Sequence, residues 1–183
     1  MRIDVQQLQQ EPILFDRQFA PGEIAYGDEG EQVTPLAVNG RADLVEEHHG
    51  PKQIIYDIRV RAEYSGDFNL PCARCLEPVE QHLEGTFDLL YRPLGVDAGA
   101  DEHSISTSET EIGYYQGDGL ELEDVLREQV LLSLPARALC SEGCKGLCPQ
   151  CGQNLNTAAC SCDSTPRDPR WQALAGLRTQ VKG

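Results

Sequence analysis

The chain contains no run of about 18 apolar residues, so it carries no signal for a membrane-spanning helix. Its opening, Met1-Arg2-Ile3-Asp4-Val5, lacks the apolar centre of a secretion signal, and the expected compartment is the cytoplasm. There is no P-loop, no dinucleotide glycine fingerprint and no H-E-x-x-H. No internal repeat and no low-complexity tract interrupts it. Histidines are few: His48, His49, His82 and His103. His48-His49 runs into Gly50-Pro51, which reads as a turn rather than as a pair of metal ligands. Carboxylates are so common that no pair stands out as an acid/base couple. No small-molecule substrate is evident, and the expectation is a protein that is not an enzyme. Basic side chains are scarce, 15 Lys and Arg against 30 Asp and Glu, for a formal charge of −15. That balance argues against a protein that grips nucleic acid over its whole surface, because phosphate binding needs clustered cations.

A core is present in the composition. Leu, Ile, Val and Phe make up 43 of the 183 residues, more than a disordered chain carries. The charge is divided unevenly. Residues 1–140 carry a balance of −17 and residues 141–183 a balance of +2. The densest acidic stretch, Asp101 to Glu128, holds nine acids and one arginine. It reads as a solvated face or as a docking surface for a basic partner.

Two segments alternate with the period of half-buried antiparallel strands. In 53–65, Ile54, Tyr56, Ile58, Val60, Ala62 and Tyr64 face inward, and Asp57, Arg59, Arg61 and Glu63 face outward. In 79–91, Val79, Leu83, Phe87, Leu89 and Tyr91 face inward, with Glu80, His82, Glu84 and Asp88 outward. Further strands are expected near 2–5, 12–19, 33–47 and 109–115, with loops at 27–30 and 96–108. A helix is predicted over 119–134. Asp118 would cap it, Glu121 would complete a capping box and Pro135 would stop it. Asp168-Pro169 predicts a short terminal helix with Trp171, Leu174 and Leu177 as its apolar stripe. The fold class expected is α+β. An acidic, mainly antiparallel β body over 1–135, open or barrel-like, carries one packed helix. A small cysteine-rich zinc module follows over 136–183.

The eight cysteines are the most informative residues: Cys72, Cys75, Cys140, Cys144, Cys148, Cys151, Cys160 and Cys162. They fall into close groups: C-A-R-C, C-x3-C, C-P-Q-C-G and C-S-C. Neighbours this close pair poorly as disulfides, but two sulfurs on one tight turn reach the same ion at about 2.3 Å. Pro149 fixes a backbone angle in its turn, and Gly152 can take the positive φ that points later amides at the thiolates. The tail can close one four-cysteine site alone, with Cys148, Cys151, Cys160 and Cys162. Cys72 and Cys75 then take Cys140 and Cys144, stapling the middle of the chain to the segment after the last core helix. The competing partition is one tail zinc with four free thiols. Zinc is the expected ion, one or two per chain, although sulfur-only tetrahedral sites also hold iron. Cys72-Ala73-Arg74-Cys75 also fits a redox dithiol, with Arg74 lowering a thiol pKa, but it lies between strands and does not open a helix.

Four blocks together resemble one family. Pro71-Cys72-Ala73-Arg74-Cys75-Leu76-Glu77-Pro78 is similar to the C-x-R-C-L-x-P segment of the YceD, or large ribosomal RNA subunit accumulation, family of bacteria and plastids. Leu126 to Pro135 resembles its L-R-E-x-(I/V)-L-L-x-L-P helix. Cys144 to Asn156 resembles its C-K-G-L-C-P-x-C-G-x-N-L-N stretch, and Cys160-Ser161-Cys162 with Asp168-Pro169-Arg170-Trp171 matches its ending. The resemblance runs over roughly 50–178. It implies a non-enzymatic role in the synthesis, processing or stability of large-subunit ribosomal RNA, and it implies no catalytic residues. Two partners fit that role. The tail, through Lys145, Arg167, Arg170 and Arg178, would contact precursor RNA or the assembling particle. The acidic body would hold a basic ribosomal protein. The other classes to weigh are a thiol redox protein or redox-switched chaperone, and a zinc-ribbon adaptor in transcription.

Overall fold

A computed structural model describes residues 1–49, 53–96 and 112–162. Among them the chain divides into two compact units. One is Met1–Pro71 with Pro78–Ala136; the other is Cys72–Glu77 with the segment from Arg137. The expected terminal helix from Asp168, most of the 96–108 loop and residues 109–111 of an expected strand lie outside the described residues.

The first unit is a mixed sheet with helices. Strand β1 (Arg2–Asp4) leads into a one-turn helix α1 (Val5–Leu8), capped by Asp4, whose side chain accepts from the Gln6 amide at 2.8 Å. Then come β2 (Ile13–Phe19), β3 (Glu31–Gln32), β4 (Leu36–His49), β5 (Gln53–Pro71), β6 (Pro78–Pro93), β7 (Ile112–Tyr115), β8 (Gly119–Glu121) and helix α2 (Leu122–Ser133). The main sheet runs β2-β4-β5-β6-β7, and β3 pairs with β5 off that path. Every pairing in it is antiparallel except β6 with β7, which is parallel. Strands β2 and β7 end the path and do not pair with each other, so the barrel-like option is wrong: the sheet is open.

The β5–β6 hairpin follows the alternation in the sequence. Ile58, Val60, Ala62, Tyr64 and Phe68 on β5, and Leu83, Phe87 and Tyr91 on β6, join one buried cluster with Leu122, Val125, Leu126 and Val130 of α2. The pattern breaks at the start of β5. Ile54 is 47% exposed, Ile55 is buried and Asp57 is only 1% exposed. Asp57 is tolerated inside because Arg92 satisfies it, with Nη2 at 2.9 Å and Nε at 3.3 Å from its carboxylate. A buried charge persists only when paired and hydrogen-bonded in this way.

Helix α2 starts three residues later than the sequence predicts. Gly119–Glu121 instead pairs with β1, Gly119 opposite Asp4 and Leu120 opposite Ile3. The Ile3 carbonyl comes so close that a Cβ on Gly119 would sit 2.0 Å from it. The Leu122 amide, a bare donor of the first helical turn, donates to the Met1 carbonyl at 2.9 Å. No capping box forms: Glu121 is the N-cap, extended, without a side-chain cap bond. The helix stops at Leu134, which turns extended before Pro135 as a residue preceding proline must. The one-turn α1 overlaps the expected strand only at Val5, and it gives the first unit two helices among the described residues where one was expected.

Candidate metal centres

The hairpin of β5 and β6 closes its ladder at Pro71 opposite Pro78, and the six residues between them form the first knuckle of the second unit. Its backbone is fixed by two bonds. The Cys72 amide donates to the Glu77 carbonyl at 2.9 Å, and the Leu76 amide to the Cys72 carbonyl at 2.9 Å. The second knuckle repeats both bonds at the same offsets. The Cys148 amide donates to the Gln153 carbonyl at 2.8 Å, and the Gly152 amide to the Cys148 carbonyl at 2.9 Å. The residue after each second cysteine is left-handed: Gly152 at φ +74° and Leu76 at φ +63°. The glycine was legible as such a position. Leu76 was not, and it is the one non-glycine with positive φ among the described residues. A C-x2-C turn demands this conformation whether or not glycine supplies it.

All eight predicted cysteines are placed in two groups of four. Cys72, Cys75, Cys140 and Cys144 form one group, and Cys148, Cys151, Cys160 and Cys162 the other. Within each, every sulfur lies within 4.8 Å of the rest. In the first group Cys72 and Cys144 sulfurs are 3.9 Å apart, and Cys75 and Cys140 sulfurs 3.6 Å. A disulfide requires about 2.05 Å, so these are free thiols held in proximity. Four sulfurs at 2.3 Å from one tetrahedral ion would stand about 3.8 Å apart. The observed separations bracket that edge, so the donor set fits a tetrahedral thiolate ion in size and chemistry.

The electrostatics of both groups are alike. The amides of Cys140, Arg74 and Cys75 pull the Cys72 thiol down to about 6. The amides of Cys151 and Gln150 do the same for Cys148, also to about 6. Their neighbours go the other way. The Glu77 amide draws Cys75 down, but burial and three adjacent sulfurs outweigh it and push the thiol up to about 12. The Cys151 sulfur, then burial, push Cys162 up to about 12. Four thiolates cannot share so small a space without a cation, and a bound divalent ion deprotonates its thiols outright.

A ring of polar groups orients the first cluster. Arg74 donates to the carbonyls of Glu142, at 3.1 Å, and Cys144, at 2.8 Å. Its guanidinium therefore pins the loop between Cys140 and Cys144. Asn156 donates to the Cys144 sulfur at 3.3 Å, which lowers that thiol's pKa, and accepts from the Lys145 amide at 2.8 Å. Asn154 reaches Glu77 at 3.2 Å. Outer partners of this kind tune and hold metal ligands. Sequence reasoning gave the asparagines no role, although the N-L-N of the tail stretch was the available signal. Lys145 is exposed; Arg167, Arg170 and Arg178 lie outside the described residues.

The fold and these clusters define a β protein with a cysteine-knuckle module suited to sulfur-bound metal. The chain belongs to the family described as large ribosomal RNA subunit accumulation protein YceD, whose model matches residues 60–178. It is 35% identical over 106 residues to an uncharacterized protein of Mycobacterium tuberculosis, covering 58% of this chain and 48% of that one. It is also 33% identical over 63 residues to the chloroplastic large ribosomal RNA subunit accumulation protein YCED homolog 1 of Arabidopsis thaliana, covering 34% of this chain and 20% of that one. The corresponding homolog of Zea mays is 29% identical over 135 residues, covering 62% and 45%. The chain spans about half the length of the mycobacterial relatives it matches. No solved structure matches it. Among the described residues no helix is long and apolar enough to cross a membrane.

Proposed function

We propose that the chain is a non-enzymatic ribosome-biogenesis factor of the cytoplasm that supports synthesis, processing or stability of large-subunit ribosomal RNA. The observation that carries this reading is the family match, which runs through both cysteine knuckles. Both clusters hold zinc, with Cys72, Cys75, Cys140 and Cys144 on one ion and Cys148, Cys151, Cys160 and Cys162 on the other. The role of the metal is to fold the second unit. Two such sites would take the formal charge from −15 to −19, since each ion brings two positive charges to four thiolates.

The charge division supports different partners for the two parts of the sequence. Residues 1–140, at −17, suit a basic ribosomal protein. Residues 141–183, at +2, suit RNA, with Lys145, Arg167, Arg170 and Arg178 as the contacts. A sucrose gradient of cell extract at low salt, probed for this protein, tests the reading. Migration with large-subunit precursors, lost as salt is raised, is the expected result. A protein that stays at the top of the gradient contradicts it and brings the transcription adaptor forward.

A further inference from the structure

The first unit holds a cleft of about 410 Å³ that the cysteine clusters do not explain. Asp124 and Glu128 of α2 and Glu121 at the end of β8 line it, with Tyr91 and Tyr114 from the sheet and Arg2 from β1. Asp124 and Glu128 stand four residues apart on one stripe of α2, and Glu121, the N-cap, lies 3.7 Å from the Met1 ammonium. Asp124 has an ordinary reason to be there, since an acid in the first turn opposes the helix dipole. Glu128 lies beyond that turn and has no such reason. Arg2 is opposite Glu121 in the β1–β8 register. Neither Asp124 nor Glu128 has an ion-pair partner among the described residues.

Tyr91 supplies a separate observation. It is 9% exposed, it lines the cleft, and its hydroxyl makes no hydrogen bond among the described residues. The rest of the side chain is buried, but the unbonded hydroxyl oxygen is open to the cleft, where a ligand atom can reach it. Burial, and then the Glu128 charge, push the phenol up to about 12, so it meets that ligand as a neutral hydroxyl.

We propose that this cleft receives the cationic side chain, arginine or lysine, of a basic protein segment. Asp124 and Glu128 accept its N–H groups as charged acceptors, the Tyr91 oxygen accepts another, and a tyrosine ring offers a surface on which a guanidinium stacks. RNA is the poorer occupant, because its phosphates would face three carboxylates. The proposal rests on the reading that the acidic body engages a basic protein, and it names the seat.

The test uses the full zinc-loaded chain and a fluorescein-labelled peptide of alternating glycine and arginine, followed by fluorescence anisotropy at low salt. The double substitution D124N/E128Q should weaken binding about tenfold. Tyr91→Phe, which leaves the charge untouched, should weaken it about threefold. The charge-matched pair D16N/E63Q, on exposed positions of β2 and β5, should cost less than about twofold. Equal loss from both double substitutions overturns the proposal, because only net charge would then matter. So does displacement of the peptide by a uridine oligonucleotide. If D124N/E128Q binds at full strength while the unaltered chain still migrates with large-subunit precursors, the cleft is wrong and the proposed function stands.

Discussion

The first unit buries Ile58, Val60, Phe68, Leu122 and Leu126 in one continuous apolar cluster. Among the described residues of the second, the buried side chains are Ala138 and four cysteines, Cys72, Cys75, Cys144 and Cys148. One unit has a hydrophobic core and the other has sulfur in its place. A segment this short with no large buried apolar side chain needs a metal or covalent ties to hold one conformation. On the proposed reading the chain uses two sources of stability, an apolar core and bound metal, and each can be removed without the other.

Chelation should break the comparison most visibly. Structural zinc contributes about 10–16 kcal/mol in small modules, and that energy is folding energy. A strong chelator should collapse the amide dispersion of residues 137–162 and leave that of β4 to β6 in place. Dispersion that survives in both regions, or vanishes in both, would show that the two sources are not distinct. The converse lever is Asp57→Ala. It removes the buried carboxylate beside Arg92, which keeps its ion pair with Glu47, and should cost the first unit about 1–3 kcal/mol in a urea titration. Metal content should not change.

Smaller effects sharpen the likeness of the two knuckles. Leu76 is 65% exposed and left-handed, a conformation that costs a residue with a Cβ about 1–2 kcal/mol. Leu76→Gly should therefore raise the midpoint of metal release in a chelator titration by a net gain under about 1 kcal/mol, after glycine's unfolded-chain freedom is subtracted. Gly152→Ala should lower it by about 1 kcal/mol, since it imposes the same strain on the second knuckle. Changes of the same sign would mean that the two turns are not equivalent.

The smallest effect lies on the hairpin itself. His82 Nδ1 is 2.6 Å from Asp67, and that hydrogen bond raises His82 above its ordinary 6.5. The same bond, with Thr34, lowers Asp67 below 3.8. The His82 contribution is complete below its unfolded value and is lost as pH rises through the raised one. The Asp67 contribution is present above its unfolded value and is lost as pH falls through the lowered one. The difference in melting temperature between the unaltered chain and His82→Gln should therefore be widest between about pH 4 and 6.5 and should narrow above. A difference that stays constant with pH would remove the pair from the account.

Much of this was legible in the residues, for reasons that are local. Ile58 to Tyr64 and Leu83 to Tyr91 alternate because a half-buried strand has period two, and the hairpin follows. The cysteine groups were readable because tight turns place their sulfurs together whatever surrounds them. The misreadings come from partners distant in sequence. Asp57 looked outward because nothing near it announces Arg92. Glu121 looked like a capping residue because nothing near Gly119 announces Ile3. Leu76 carries no sign of its backbone angle; only the two amide bonds shared with the glycine knuckle reveal it. Asn156 went unassigned because its sulfur partner, Cys144, lies 12 residues away and only the folded backbone between them brings the two together.

The central claim is that two four-cysteine clusters each hold a zinc ion. Native mass spectrometry of the chain, purified without added metal under reducing conditions, tests it most directly. The account predicts two zinc ions per chain, and loss of one of them from each of Cys72→Ser and Cys160→Ser. One ion per chain, none, or a metal-free mass that shows disulfides in place of thiols would contradict it.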